Sequence, residues 1–339
     1  MTALPMISAR VLGPMPAFLR TEAGSRGLNR ATEAAGLPHG IEHEDNRFIT
    51  QRSLMVFLDE CARLVGDARV GLAFAPHLTP AEYGVYGRYM LSGPTLLDAL
   101  RRSRQALRWH SSRDELTVDK SGPLVRFAYR FGSAGAPTYE NVAYCAAGVL
   151  LNLLRAYLGA DWRPERIDLD LRYARAETRA QDVFGCQVRC GADRIGIFMR
   201  PETLGVRAPR RSFSSATLAD VHRSRARRAP DGVSEVAREL VRIQLMDSGV
   251  DLEATAERLG LGPRTLQRQL AEHGLQFRDL VTQVRVERAR ELLAERDLSI
   301  TDVAAELGYS APAHFARAFR RETGLSPRHY RRSRAAPAM

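Results

Sequence analysis

Several groups of side chains in this 339-residue sequence have types and spacings that can do chemistry. His39 and His43 stand four apart beside Glu44 and Asp45, donors that could ligate a metal; Pro38 and Gly40 put them in a loop, so a turn held by side-chain hydrogen bonds is expected and no metal. Cys186 and Cys190 are also four apart, but no CxxC or nearby histidine accompanies them, and with Cys61 and Cys145 they read as structural thiols. Tyr83, Tyr86, Tyr89 and Trp109, near Phe74, His77 and Arg88, are aromatics that either fill a core, the commoner use, or line a pocket. As a pocket, Tyr83, Tyr86, Arg88, Tyr89 and Trp109 are the candidate effector contacts, and Arg88 and Arg130 favour a carboxylated organic ligand. No Gly-rich phosphate loop, GxSxG or HExxH occurs, so neither an enzyme nor a cofactor is expected.

The elements that could position such groups are clearest in the last hundred residues, which contain a repeat. Leu252-x3-Ala256-x2-Leu259-Gly260-Leu261 returns 48 residues later as Ile300-x3-Ala304-x2-Leu307-Gly308-Tyr309. Leu266-x-Arg268-x-Leu270 returns as Phe315-x-Arg317-x-Phe319, and Gly274-Leu275 as Gly324-Leu325. Each copy has i, i+4, i+7 spacing, a glycine, and a second helical pattern, which is the pattern of a helix-turn-helix. Ala256 and Ala304 are small where helices cross, and Gly260 and Gly308 sit where the turn needs a left-handed backbone. The outer faces carry Arg264, Gln267 and Arg268 in the first copy and His314, Arg317, Arg320 and Arg321 in the second, side chains able to reach base edges and phosphates. A generic helical bundle could show one such hairpin; two aligned copies with polar outer faces point to double-stranded DNA. Between the copies, Phe277 to Glu295 has apolar residues at helical spacing and no Pro or Gly. A helix of that length spans roughly 28 Å, close to the ~34 Å between successive major-groove faces. Arg285, Arg288 and Arg290 alternate there with Glu287 and Glu291 and read as solvated ion pairs.

Charge agrees with an anionic partner but does not identify it. The chain carries 50 basic and 39 acidic residues, net +11, and Lys120 is its sole lysine; a GC-rich genome would raise Arg over Lys equally well. Residues 1–206 are net +4, 207–230 net +6, and 231–339 only +1, although from Pro312 onward the net is +6. The 207–230 stretch has the Arg/Pro/Ser composition of an exposed inter-domain linker. Met1 to Met6 lacks a signal-peptide pattern, and the longest apolar run, Val142 to Leu154, falls short of the ~20 residues of a membrane span. A soluble cytoplasmic protein, off the membrane, is expected.

The C-terminal run Leu298-Ser-Ile-Thr-Asp-Val-Ala-Ala-Glu-Leu-Gly-Tyr309, followed by Phe315-Ala-Arg-Ala-Phe-Arg-Arg and Gly324-Leu-Ser-Pro-Arg-His-Tyr-Arg331, resembles the signature of the AraC/XylS family of bacterial transcription regulators over residues 231–332. The resemblance implies seven helices, two helix-turn-helix units joined by a long helix, promoter DNA and RNA polymerase as partners, and an activator is expected. By motif position the base readers are Arg264, Gln267 and Arg268, then Ala313, His314 and Arg317; Arg320, Arg321, Arg328 and Arg331 are the phosphate contacts. Gly262 replaces the usual Ser cap before Pro263, a loss of a few tenths of a kcal/mol. Residues 333–339 are expected to be a flexible tail.

Residues 1–206 read as α+β, with helices near 27–36, 51–65, 94–108 and 139–158 and strand alternation from Glu115, Leu124, Ile167 and Arg194. Gly40-Ile-Glu-His-Glu-Asp-Asn-Arg-Phe48, Gly87 to Ala99 and Val183 to Val188 resemble the arabinose-binding-type N-terminal domain of one AraC/XylS branch, which implies a small-molecule effector and a homodimer. A constitutive regulator whose N-terminal domain only dimerises is the alternative. A DNA-repair methyltransferase fused to such a regulator would need a Pro-Cys-His-Arg nucleophile, which none of the four cysteines has.

Overall fold

The computed structural model describes the chain except residues 1–3, Asp45, 173–176, 210–215, 224–227, Ser248, 295–297 and 336–339. The chain divides at Asp231/Gly232 into two compact units.

The first unit runs, in chain order, β1 (Met6–Ser8), α1 (Met15–Ala34), β2 (Phe48–Thr50), α2 (Gln51–Val65), α3 (Val70–Phe74), α4 (Gly84–Leu91) and α5 (Leu96–Ala106). There follow β3 (Glu115–Ser121), β4 (Leu124–Arg130), α6 (Glu140–Leu158), β5 (Arg166–Leu169), α7 (Glu177–Phe184), β6 (Val188–Cys190), β7 (Ile195–Met199) and α8 (Leu218–Arg223). Strand alternation explains the main sheet, ordered β3-β4-β7-β5-β6, in which only β5 and β6 pair in parallel. Phe127 pairs with Ile197 and both are fully buried. Phe198, next along β7, points to the opposite face, where the Arg166 guanidinium lies 3.8 Å above its ring. Thr50 and Thr95 start α2 and α5 by accepting hydrogen bonds from the Ser53 and Asp98 amides.

Helix α6 is the apolar axis of this unit. It is long and apolar enough by composition to cross a membrane, further than the expected run Val142 to Leu154, but most of it is buried within the protein. Asn152, which interrupts that run, donates to the carbonyls of Ala75, Pro76 and Leu78, and so ties α6 to the loop after α3. The expected helix 27–36 proves to be the second half of α1, which breaks at Gly24 with φ +69.

Where it is described, the segment expected to be an exposed linker is pinned at several points, with Ala216, Val221, Ala229 and Pro230 buried while Arg207, Pro209, Thr217, Ala219 and Arg228 are exposed. Leu96 N–H donates to the Val206 carbonyl at 2.9 Å and Ala208 N–H to that of Pro94 at 3.0 Å. Helix α8 packs on α4, burying Val221 completely, and Ser92 Oγ donates to the Ala216 carbonyl at 2.8 Å. Ala229 N–H donates to the Arg108 carbonyl at 2.8 Å. The backbone's own hydrogen bonds thus hold an arginine-rich stretch that its composition marks as solvated. Its Arg210, Arg211, Arg225 and Arg227 lie outside the described residues.

The second unit has seven α-helices among its described residues: α9 (Val233–Gln244), α10 (Leu252–Arg258), α11 (Pro263–Glu272), α12 (Phe277–Ala294), α13 (Ile300–Glu306), α14 (Pro312–Thr323) and α15 (Pro327–Ala335). Helix α12 is buried on more than one side, through Leu280, Val284 and Ala289 and also through Val281 and Val286, because α9 and the α13–α15 group all pack on it. Helix α15 continues through Ala335, past the expected start of the tail; 336–339 lie outside the described residues.

Candidate nucleic-acid interface and internal cavity

Each recognition helix is built by local rules. Asp251 caps α10, its carboxylate accepting from the Ala254 amide at 2.8 Å. Ser299 and Asp302 form a reciprocal capping box on α13. Gly260 and Gly308 turn the chain with φ +66 and +71, a conformation in which a Cβ would clash with its own backbone. Pro263 and Pro312 then begin α11 and α14 at positions needing no amide donor; Gly262 supplies no side-chain cap.

The helical period divides the faces. In α11, Leu266 and Leu270 are fully buried while Arg264, Gln267 and Arg268 are exposed; Arg268 Nη1 lies 3.6 Å from Glu272. In α14, Phe315 and Phe319 are fully buried while Ala313, His314, Arg317, Arg320 and Arg321 are exposed. An aromatic ladder, Tyr309 to Phe315 to Phe319 to Tyr330, with centroids 5.6, 5.6 and 5.4 Å apart, packs the second helix-turn-helix and α15 together. Arg328 is exposed. Arg331 differs from the expected phosphate contacts: it is half-buried and donates to the Leu298 carbonyl at 2.7 Å, because α15 closes over the start of α13. Its guanidinium is a tie between α15 and the loop before α13.

The arginines of α12 do more than form solvated pairs. Arg288 does pair with Glu291 at 3.1 Å, and also reaches Glu306 at 3.5 Å. Arg285 instead lies 5.2 Å from the Tyr309 ring centroid, and Arg290 is exposed. Glu287 receives Arg238 and Arg242 from α9, and Arg242 also holds the buried Glu239 at 2.8 Å. This bridge locks α9 to the connecting helix. Arg238 and Arg242 have no distinctive sequence motif; their i, i+4 spacing on one face of α9 is the available signal.

In the first unit, a cavity of about 70 Å³ opens in the core beside α6. Val142, Cys145, Ala146, Val149, Leu150 and Leu153 supply one wall as an i, i+3, i+4, i+7 stripe. Other walls come from α2, α4, the end of α5 and the β3–β4 hairpin. Tyr83 and Tyr86 line it; Arg88, Tyr89 and Trp109 do not. The helical period explains the division: Tyr83, Tyr86 and Met90 share one face of α4 and its approach, and Arg88 is turned to solvent. Tyr89 donates to Gln105 at 2.9 Å, and Trp109 lies 4.1 Å from the Arg108 guanidinium.

Sequence reasoning missed His110, Ser103 and Tyr129, which also line the cavity. His110 stacks on Tyr83 and on Tyr86, with centroids 4.6 and 5.1 Å apart. Burial pulls its imidazole down to about 3, so it is neutral at pH 7. Burial pushes the Tyr83 and Tyr86 phenols well up. Tyr129 donates to Asp114, which also accepts from Gln51 and Gly132 and whose carboxyl burial raises. Arg130, the other expected cation, is exposed and pairs with Glu115 at 3.0 Å.

His39 is exposed and lies 3.9 Å from Glu33; Asp45 and the His43 side chain lie outside the described residues. All four cysteines are free, and burial pushes Cys61 up to about 12 and Cys186 and Cys190 to about 11. A thiol so raised carries little thiolate at neutral pH.

Paired helix-turn-helix units on one helix, behind a separate α+β unit, define a DNA-binding transcription regulator. Residues 27–207 match the family described as the arabinose-binding domain of AraC transcription regulators, N-terminal, and residues 255–333 match a helix-turn-helix domain family. The chain belongs to the AraC family, with an arabinose-binding-type N-terminal domain. It is 28% identical to the HTH-type transcriptional regulator VirS of Mycobacterium tuberculosis, across 87% of this chain and 88% of that relative. It is 43% identical over 88 residues to the HTH-type transcriptional activator RhaS of Escherichia fergusonii, covering 26% of this chain and 32% of that one. A crystal structure of the transcriptional regulator CdpR from Pseudomonas aeruginosa covers 91% of this chain and 97% of its own, at 23% identity and a TM-score of 0.39.

Proposed function

We propose that this AraC-family protein is a sequence-specific transcription activator that binds promoter DNA with both recognition helices in adjacent major grooves, under control of a small molecule held by its first unit. The observation that carries this reading is the pair of polar faces exposed on α11 and α14 while their apolar faces are fully buried. Arg264, Gln267 and Arg268 read one groove and Ala313, His314 and Arg317 the next; Ala313 offers a base only an apolar contact, so the half-sites are unequal. Arg320, Arg321 and Arg328 neutralise phosphates. The effector occupies the core cavity, the first unit forms a homodimer, and the bound protein contacts RNA polymerase.

Selection of binding sites from random duplexes, followed by footprinting, tests the DNA reading. Protection should extend over two successive turns per protomer with different base preferences in each. Protection of a single turn refutes the adjacent-groove arrangement. Thermal shift against a metabolite panel, then operator binding with each hit, tests effector control; hits that change neither melting nor DNA affinity leave a constitutive regulator.

A further inference from the structure

The chemistry of the core cavity narrows its ligand. Ala146 and Val149 belong to the central core helix yet keep partial exposure, because they face this space. Among the described residues, no arginine, lysine, aspartate or glutamate lines it. Most of its polar groups are already committed: Tyr86 donates to the Ser103 carbonyl at 3.1 Å, Ser103 Oγ to Ala99 at 2.8 Å, and Tyr129 to Asp114 at 2.6 Å. Among the described residues, nothing hydrogen-bonds the Tyr83 hydroxyl or the His110 imidazole. A neutral imidazole offers one donor and one acceptor, and a phenol can do either.

We propose that this cavity takes a neutral, predominantly apolar small molecule with one hydrogen-bonding group, such as a hydroxyl or carbonyl, which meets Tyr83 and His110. A carboxylate would enter a desolvated space without a cation, since Arg88 and Arg130 stand outside it. A sugar would bury several hydroxyls against two available partners. The inference rests on the effector reading above and changes the class of ligand expected from the sequence.

The same walls carry the segment that leads toward the second unit. Helix α4 contributes Tyr86 and Met90 to the cavity and packs against α8; Leu107 and His110 flank Arg108, whose carbonyl holds Ala229. A ligand that favours one spacing of α4 and the α5 end over another therefore biases how α8 and Ala229 are held.

The test uses full-length protein with straight-chain 1-alkanols from ethanol to hexanol, sized to a space of about 70 Å³, carboxylates of the same chain lengths, and L-arabinose. An alkanol should bind one per chain by calorimetry and raise the melting temperature of the first unit by about 3–6 °C at ten times its Kd. The matched carboxylate should bind at least tenfold more weakly, and arabinose should give no shift. Ala146→Phe and Val149→Phe, which fill the space from two turns of α6, should each weaken alkanol binding at least tenfold with unchanged circular dichroism. Carboxylate or arabinose binding as tight as the alkanol overturns the proposal, as does alkanol binding undiminished in both folded variants, or no alkanol binding at all. Operator affinity separates this from effector control: if bound alkanol and filled cavity alike leave it unchanged, control fails while the ligand class stands.

Discussion

Replacing His110 by glutamine should remove a pH dependence from the stability of the first unit. Burial holds the folded imidazole at about 3, against an ordinary value of 6.5. The unfolded chain therefore takes up a proton between those values that the folded chain refuses. Stability from this residue is complete above pH 6.5 and is lost as pH falls toward 3, at about 1.4 kcal/mol per pH unit. By pH 5 the loss is about 2 kcal/mol. Two buried carboxyls oppose it: Asp170, which burial raises to about 6, and Asp114, also raised, bind protons more readily when folded. Those contributions are common to wild type and variant, so the difference between the two proteins isolates His110. Trp109 and Trp162 are the only tryptophans in the sequence and both belong to the first unit, so urea melts followed by tryptophan fluorescence report that unit alone. Between pH 7.5 and 5, wild type should lose about 2 kcal/mol more than His110→Gln. A difference that stays flat would show that the imidazole titrates normally, and the desolvated cavity wall would have to be abandoned.

Arg268→Ala should cost about 1–3 kcal/mol on a selected operator and relax preference at one base pair, whereas equal loss on random duplex would make Arg268 a phosphate contact. Arg317→Ala should do the same at a base pair one helical turn away, with quantitative footprinting as the readout. Glu287→Ala leaves the buried Arg242 with Glu239 but without its second carboxylate and should destabilise the second unit by about 1.5–3 kcal/mol, seen as an earlier calorimetric transition; a loss below 0.5 kcal/mol, roughly that of an exposed pair, would mean that the α9–α12 bridge is solvated. Phe319→Ala removes a fully buried ring between Phe315 and Tyr330 and should cost about 3–5 kcal/mol, with loss of the second half of the footprint before the first. Footprint loss in both halves together would refute independent docking of the two helix-turn-helix units.

The buried and exposed faces of the two helix-turn-helix units were legible because their logic is local. Helical period separates Leu266 from Gln267 and Phe315 from Arg317, turn glycines mark where each hairpin reverses, and repetition 48 to 50 residues later makes chance an inadequate account. The same locality misled where a third element intervenes. Arg285 looked like a solvated pair on its own helix, but Tyr309 from the second repeat lies beside it. Arg331 looked like one more cation in a basic tail, but the chain before α13 passes within reach of its guanidinium.

The cavity was half legible, and the missed half is instructive. Clustered tyrosines marked the neighbourhood, and Tyr83 and Tyr86 do line the space, but Trp109 was the wrong one of two adjacent residues. Neither composition nor period says which of Trp109 and His110 turns inward, because they lie in a short 3-10 turn whose direction depends on what α4 leaves open.

The sequence by itself determined the fold class of both units, the two helix-turn-helix motifs and the residues on their outer faces, since each follows from spacing within a dozen positions. Only tertiary structure decided that Ala208, Ala216 and Ala229 of the arginine-rich stretch are hydrogen-bonded to the body of the first unit, that an apolar cavity remains beside α6, and that the arginines expected to greet a carboxylate stand outside it. Those outcomes depend on groups up to 124 residues apart, as between Ser92 and Ala216, meeting in a desolvated interior. Burial and hydrogen-bond pairing there arise from packing, and no local pattern encodes them.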